Sequence, residues 1–180
     1  FPYTTLFRST AGTSGCNKDV DRHNESKMAL SFLGCQQIVH LDFEDTRTSQ
    51  QLDEMIKALE DVIKHRFPPQ VRLIRAYTMH DNDRHQDHRA VHRASIVACR
   101  NIPQILGYET PSTWLTFIPQ IFENVSEEKF TKKMQAISLH QSQRHRDYIR
   151  PERLRTVAQF RGQQAGCNLC EGFVVHKMIL

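Results

Sequence analysis

The sequence contains no long hydrophobic run and no concentrated block of charge. No stretch approaches the ~18 apolar residues that a membrane-spanning helix needs, and the first residues lack the charged start and apolar core of a signal peptide. We therefore expect no membrane span and a cytoplasmic location. The net charge of +4 is spread over interleaved basic and acidic residues, and only residues 144–155 are locally basic. A solvated surface gives that pattern much more often than nucleic-acid binding does, so we expect no nucleic-acid partner.

The five cysteines form no regular pattern. An odd, irregularly spaced set does not indicate a disulfide framework. Cys167 and Cys170 make a single CxxC motif, but a structural zinc site would need a second pair or histidines at matching spacing, and none follows. We interpret this motif as incidental rather than as a metal or redox site.

The length and composition are typical of one globular domain. The chain has 180 residues, of which 39% are hydrophobic and 24% charged, and this is enough to bury a sizeable core. Its first ten residues, FPYTTLFRST, look like a translated sequencing adapter. We therefore expect residues 1–10 to be a non-native leader and residues 11–180 to form a single domain.

Hydrophobic periodicity predicts alternating helices and strands. Helices are predicted at 19–33, 49–65 and 87–100, with two more beginning after Ser126 and at Pro151, the latter ending at Gly166. Strands are predicted at 37–41, 71–78, 104–108, 120–122 and 173–179. This alternation predicts an α/β fold with a mainly parallel sheet and helices on both faces.

One stretch, Asp83-Arg84-His85-Gln86-Asp87-His88, carries four potential metal-binding or proton-transfer groups. It lies where a predicted strand ends and a predicted helix begins, which is where open α/β sheets bind ligands. Neutral imidazole is a common zinc ligand, and a carboxylate beside it fixes its tautomer. His88 and His92 also have the spacing by which two helical histidines share a metal. A histidine-rich turn can equally be an exposed polar corner, so spacing alone leaves both interpretations open.

Several short segments, taken in their order along the chain, are more specific than any one motif. They are Ala11-Gly12-Thr13, Arg22-His23-Asn24-Glu25, Leu33-Gly34, Asp42-Phe43-Glu44-Asp45, residues 83–91, Tyr108-Glu109-Thr110-Pro111-Ser112, His140-Gln141-Ser142-Gln143, Arg161-Gly162 and Glu171-Gly172-Phe173. In this order they resemble the LmbE/PIG-L family of zinc-dependent N-deacetylases, which includes N-acetylglucosaminyl deacetylases.

The resemblance implies a Rossmann-like α/β fold and a zinc-dependent hydrolase that removes the N-acetyl group of an acetamido sugar or its conjugate. It implies that His88 is a zinc ligand. His85 would stabilise the oxyanion or protonate the leaving amine, and Asp87 would orient His85. Arg22 and Asp45 would contact the substrate. The implied cofactor is Zn²⁺ and the implied partner a small acetylated amino sugar, with a homo-oligomer possible.

One departure from the family pattern weakens this expectation. The family also supplies zinc ligands and a general base through a His-Pro-Asp-Asp segment at the end of its first strand, just upstream of the block that corresponds to residues 11–13. No such segment occurs here. We therefore expect a zinc deacetylase truncated at its N-terminus, whose domain lacks its first strand, with weak zinc binding and little activity in this chain. Tight zinc binding would instead indicate His80, Asp83 or His92 as replacement ligands. The alternative is a non-catalytic relative that keeps a sugar pocket.

Overall fold

The computed structural model describes residues 5–10, 22–35, 37–68 and 70–180. The chain forms two compact units, Phe1–Asp45 with Phe122–Glu171, and Thr46–Ile121 with Gly172–Leu180. The strands are β1 (Thr5–Thr10), β2 (Gln37–Phe43), β3 (Arg75–Met79), β4 (Gln104–Tyr108), β5 (Ile121–Asn124) and β6 (Cys170–Met178). The helices are α1 (Arg22–Leu33), α2 (Leu52–His65), α3 (Gln86–Ala98), α4 (Glu127–Ser138) and α5 (Pro151–Ala165). The single domain expected over residues 11–180 stays a prediction.

Helices α1, α4 and α5 belong to the first unit, and local sequence signals set their ends. Ser126 caps α4, because its hydroxyl accepts the backbone N–H of Lys129 at 3.2 Å. Pro151 is the first residue of α5, and Gly166 ends that helix in the left-handed conformation at φ 73°. The core of this unit consists of Phe130, Ala158 and Leu169, with Val125, Met134 and Leu154 packed against it. The predicted starts of α4 and α5 are confirmed.

The first unit also contains a strand that the sequence does not predict. Strand β1 lies within the segment expected to be a foreign leader, and it pairs in parallel with β2, Thr5 opposite Gln37 and Phe7 opposite Val39. This segment has no alternating pattern, so its strand depends on hydrogen bonding to β2, a partner distant in sequence.

In the second unit, β3, β4 and β6 lie side by side in that order. Tyr77 of β3 is opposite Leu106 of β4 in a parallel pair, whereas β4 and β6 are antiparallel. The α/β class is confirmed, but the sheet is mixed, so the prediction of mainly parallel strands holds only for the β1–β2 and β3–β4 pairs. A core of Cys99, Ile102 and Ile105, packed by Ile63, Leu73, Ala76 and Ile96, supports this unit.

The interpretation of the CxxC motif as incidental is wrong, because Cys167 and Cys170 are joined by a disulfide. Their Cα atoms are 6.8 Å apart, at the upper end of the range that a disulfide bridges. The turn after α5 brings them together, because the backbone N–H of Cys167 donates to the carbonyl of Gly162 at 2.9 Å.

Among the helices of the described residues, none has the length and apolarity to cross a membrane.

Candidate active site

Asp83 is the buried centre of the turn between β3 and α3. Its side chain has no solvent exposure. One carboxylate oxygen accepts the backbone N–H of His85 at 2.8 Å. The other accepts the hydroxyl of Thr110 at 2.5 Å and lies 3.0 Å from Nδ1 of His88. Burying a carboxylate costs free energy unless the carboxylate is hydrogen-bonded. These contacts therefore allow Asp83 to be buried.

The surroundings of Asp83 keep it ionised. Burial raises its pKa, but hydrogen bonds from the Ser112 and Thr110 hydroxyls, the His85 N–H and the His88 ring outweigh that effect and hold the pKa well below its ordinary value of 3.8. An ionised carboxylate only accepts hydrogen bonds, so Nδ1 of His88 must carry the proton. In the neutral ring, Nε2 of His88 then presents a lone pair, which is what a metal requires of it.

His85 has the opposite proton arrangement. It is the N-cap of α3, and its Nδ1 accepts the backbone N–H of Asp87 at 3.2 Å. In the neutral ring the proton is therefore on Nε2. The His85 and His88 rings are stacked, with centroids 4.6 Å apart and an interplanar angle of 20°. Two adjacent imidazoles thus differ in function: His85 offers an N–H donor and His88 offers a lone pair.

Asp87 anchors a neighbouring turn to the start of α3. Its carboxylate accepts the backbone N–H of Thr46 at 2.9 Å and the hydroxyl of Thr48 at 2.6 Å. The carboxylate makes both contacts in a side chain that is only 8% exposed. The same carboxylate lies 3.8 Å from Nδ1 of His85, within ion-pair range of a protonated ring. The structure brings His85, Asp87 and His88 together, and the orienting role of Asp87 stays a prediction.

The loop after β4 holds the Asp83 turn in position. The backbone N–H of Arg84 donates to the carbonyl of Ser112 at 3.0 Å, and that of Trp114 donates to the carbonyl of Asn82 at 3.2 Å. The Ser112 hydroxyl lies 3.3 Å from Nδ1 of His88. Two of the segments that carry the family resemblance, residues 83–91 and 108–112, therefore meet around His88.

The sequence motif includes Asp83, but the sequence did not indicate that its carboxylate contacts Nδ1 of His88. It also gave no role to Thr110 and Ser112. The available signal was an aspartate five residues before His88, followed by a Thr-x-Ser pair in the loop after the next strand. Sequence spacing cannot show that these groups share one carboxylate, because the contact joins residues 27 apart.

Arg22 and Asp45, expected to bind substrate, lie in the first unit. Arg22 begins α1, and Asp45 lies in the turn after β2. One turn further along α1, the Glu25 carboxylate accepts the backbone N–H of Ser142 at 2.8 Å and its hydroxyl at 2.6 Å. Burial acts to raise the pKa of Glu25, but the Ser142 hydrogen bonds and the charges of His140 and Arg22 lower it. Substrate contact by Arg22 and Asp45 stays a prediction.

His88 fits one zinc ligand, but the described residues do not complete a catalytic set around it. A catalytic zinc has three protein ligands and an open position. Within the described ranges, no three histidine, cysteine or carboxylate ligand atoms converge on His88. His92 does not serve as a second ligand through Nδ1, which lies 2.9 Å from the carbonyl of Met79. Burial lowers the pKa of His92, which favours its neutral form.

Comparisons with known proteins show the family of this chain. The PIG-L family model, described as GlcNAc-PI de-N-acetylase, matches residues 6–99. The chain is 61% identical over 140 residues to the uncharacterized deacetylase YaiS of Escherichia coli strain K12, covering 78% of this chain and 76% of that protein. The chain belongs to the PIG-L deacetylase family.

Solved structures show that this PIG-L protein shares its fold with other proteins. It resembles the conserved protein TT1542 from Thermus thermophilus with a TM-score of 0.80 and 20% identity, over 99% of this chain and 83% of that one. It also resembles the N,N'-diacetylchitobiose deacetylase from Pyrococcus horikoshii with a TM-score of 0.75 and 19% identity, over 96% of this chain and 72% of that one. The LmbE-like α/β fold implied by the sequence resemblance is confirmed.

Proposed function

We propose that this PIG-L family protein hydrolyses the N-acetyl group of an acetamido sugar or its conjugate, with zinc bound through His88. The observation that carries the proposal is the stacked pair in which His85 Nδ1 accepts the backbone N–H of Asp87 and His88 Nδ1 lies 3.0 Å from the carboxylate of buried Asp83. Amide hydrolysis needs both an electrophile near the carbonyl oxygen and a group that handles the proton of the leaving amine.

The role of His88 follows from its contact with Asp83. Because Asp83 holds the proton at Nδ1, the ring turns its Nε2 lone pair away from the carboxylate, and the Ser112 hydroxyl 3.3 Å from Nδ1 supports the same orientation. When bound there, zinc would supply a Lewis acid that polarises the amide carbonyl and lowers the pKa of a bound water to about 7. The carboxylate that holds the ring also raises its basicity as a ligand.

His85 is the proton donor in this proposal. Its side chain is 49% exposed, so its Nε2–H is accessible to a substrate. In the neutral state it donates a hydrogen bond to the carbonyl oxygen as negative charge develops there. When a second proton on Nδ1 replaces the hydrogen bond from the Asp87 N–H, His85 can transfer its Nε2 proton to the leaving amine. The Asp87 carboxylate 3.8 Å from Nδ1 stabilises that cation.

The substrate class is supported by the relatives rather than by a contact in this chain. The matching family model is described as GlcNAc-PI de-N-acetylase, and one structural neighbour is a diacetylchitobiose deacetylase. Both descriptions name acetylated amino sugars. We propose that Arg22 and Asp45 contact the sugar. A cytoplasmic location, the absence of a nucleic-acid partner and a possible homo-oligomer stay predictions.

A non-catalytic sugar-binding relative is the second candidate. It is favoured by one observation, that no three ligand atoms converge on His88 within the part of the chain that the structure describes. Such a protein would bind an acetylated sugar without releasing acetate. The two candidates therefore differ in a measurable product.

The test is acetate release under single-turnover conditions, which detect slow hydrolysis. The 180-residue chain, in excess over ¹³C-acetyl-labelled N-acetylglucosamine or diacetylchitobiose and supplied with Zn²⁺, is followed by NMR. We expect acetate from the unmodified chain and a rate at least about 100-fold lower for His88→Ala. His145→Ala, a change at an exposed histidine remote in sequence, is the matched control and should leave the rate unchanged. Sugar binding without acetate release would favour the second candidate.

A further inference from the structure

A second group of metal-ligand side chains lies in the first unit. His23 is on α1, and His40 and Asp42 are on β2. One ligand atom from each of the three lies within 4.8 Å of the others. Nε2 of His23 is 3.2 Å from a carboxylate oxygen of Asp42, and the His23 and His40 rings have centroids 4.5 Å apart. None of these residues takes part in the contacts described above for the His85, Asp87 and His88 side chains.

The backbone at Asp42 departs from strand geometry where the group forms. Asp42 has φ 54°, in the left-handed region that non-glycine residues seldom adopt, although aspartate and asparagine tolerate it better than most. Such a conformation costs free energy and persists where the surrounding structure requires it. Here it occurs at the residue whose carboxylate reaches His23.

We propose that His23, His40 and Asp42 bind a divalent transition-metal ion of the zinc type. Two imidazole nitrogens and one carboxylate oxygen are ligands that suit zinc. With metal–ligand bonds of about 2.0–2.2 Å, neighbouring ligand atoms of a tetrahedral site are about 3.3 Å apart. The 3.2 Å separation of the His23 and Asp42 atoms already has this value. The ligand atom of His40 lies within 4.8 Å of both.

The exposure of the group leaves room for an exchangeable ligand. The side chains of His23 and Asp42 are 40% and 56% exposed. Three protein ligands with one side open to solvent form a site that admits a water or a small anion as the fourth ligand.

This proposal is independent of the proposed deacetylase chemistry. It assigns metal to a set other than His80, Asp83 and His92, the replacement ligands considered from the sequence. Its test is therefore metal binding by itself. The full 180-residue chain, stripped of metal with a chelator, is titrated with Co²⁺ to detect the visible bands of a tetrahedral site, and then with Zn²⁺ against a chromogenic chelator.

The deciding variant is Asp42→Asn. Asparagine tolerates the same left-handed backbone, so the fold is retained while the charged ligand is lost. Loss of an outer partner alone costs about 10–100-fold in metal affinity, so loss of this ligand should weaken Zn²⁺ binding by at least about 100-fold. His23→Asn, at a half-buried position in the first turn of α1, provides a second variant. Circular dichroism confirms that each is folded.

His145→Ala, at an exposed position, is the control. The proposal predicts that it keeps the affinity for Zn²⁺ and the Co²⁺ spectrum of the unmodified chain. It is overturned if Asp42→Asn and His23→Asn bind Zn²⁺ as tightly as the unmodified chain, if His88→Ala abolishes binding, or if the unmodified chain shows no tetrahedral Co²⁺ bands.

Discussion

Asp83 Oδ2 lies 3.0 Å from Nδ1 of His88, and the carboxylate that makes this contact has no solvent exposure. Hydrogen bonds from Thr110 and from the His85 backbone satisfy the rest of the carboxylate. Because Asp83 accepts and cannot donate, its position determines which nitrogen of His88 is presented to a ligand. Stability and site chemistry therefore depend on the same buried group.

Replacing this carboxylate with its neutral isostere should destabilise the protein. Asp83→Asn puts an amide N–H₂ where the carboxylate accepts hydrogen bonds, so at least one buried donor loses its acceptor. We expect the free energy of unfolding to fall by about 2–3 kcal/mol, measured by chemical denaturation at neutral pH. Asp61→Asn, at an exposed position of α2, is the control and should change it by less than about 0.5 kcal/mol. Equal stabilities of the two variants would contradict the assigned role of Asp83.

The same carboxylate should make stability depend on pH in the acid range. The folded pKa of Asp83 is lowered, so the unfolded chain binds its proton at a higher pH than the folded chain does. Its contribution is fully present above about pH 4–5 and is lost progressively as pH falls below the ordinary aspartate pKa of 3.8. The difference in unfolding free energy between the unmodified chain and Asp83→Asn should shrink as pH is lowered from about 5 to about 3. A difference that stays constant over that range would contradict the lowered pKa.

Removing the Ser142 hydroxyl should loosen the contact between its loop and α1. In Ser142→Ala the Glu25 carboxylate keeps the backbone N–H at 2.8 Å but loses the hydroxyl at 2.6 Å. The contact is partly exposed, so we expect a loss of about 1 kcal/mol in thermal or chemical unfolding. Glu128→Gln on the exposed side of α4 serves as the comparison and should have a smaller effect. A loss no larger than that of the comparison would show that the hydroxyl contributes nothing.

Gly162 should tolerate no side chain. A Cβ there would lie 2.5 Å from the carbonyl oxygens of both Cys167 and Asn168, which are backbone atoms in the turn closed by the disulfide. Gly162→Ala would normally favour a helix, yet we expect it to destabilise the protein by about 1–3 kcal/mol. Gln163→Ala, at the next and exposed position, should be close to neutral. A Gly162→Ala variant with an unchanged melting temperature would contradict this close approach.

Local signals predicted most helices and strands, and non-local contacts account for the differences. The predicted strand at 104–108 matches β4, and the predicted helix at 49–65 contains α2 from Leu52. By contrast, β1 depends on pairing with β2, and the antiparallel direction of β6 beside β4 depends on how a distant segment returns to the sheet. The predicted residues 19–21 lie outside the described residues.

For the candidate site too, the sequence indicated the residues of the local motif but not the contacts between distant segments. His85, Asp87 and His88 are close together in sequence, so the motif itself indicated them. The bond between Asp83 and Thr110 joins two segments across the sheet edge, and the approach of His23 to Asp42 requires an unusual backbone conformation. Neither has a periodic signal in the sequence.

The claim that Asp83 holds the proton on Nδ1 of His88 is tested most directly by measuring the tautomer of His88. Long-range ¹H–¹⁵N NMR correlations of ¹⁵N-histidine-labelled protein, assigned by comparison with His88→Ala, distinguish a protonated from an unprotonated ring nitrogen. At a pH where the ring is neutral, we expect a proton on Nδ1 and a lone pair on Nε2, and we expect this pattern to be lost in Asp83→Asn. A proton on Nε2 of His88 in the unmodified chain would contradict it.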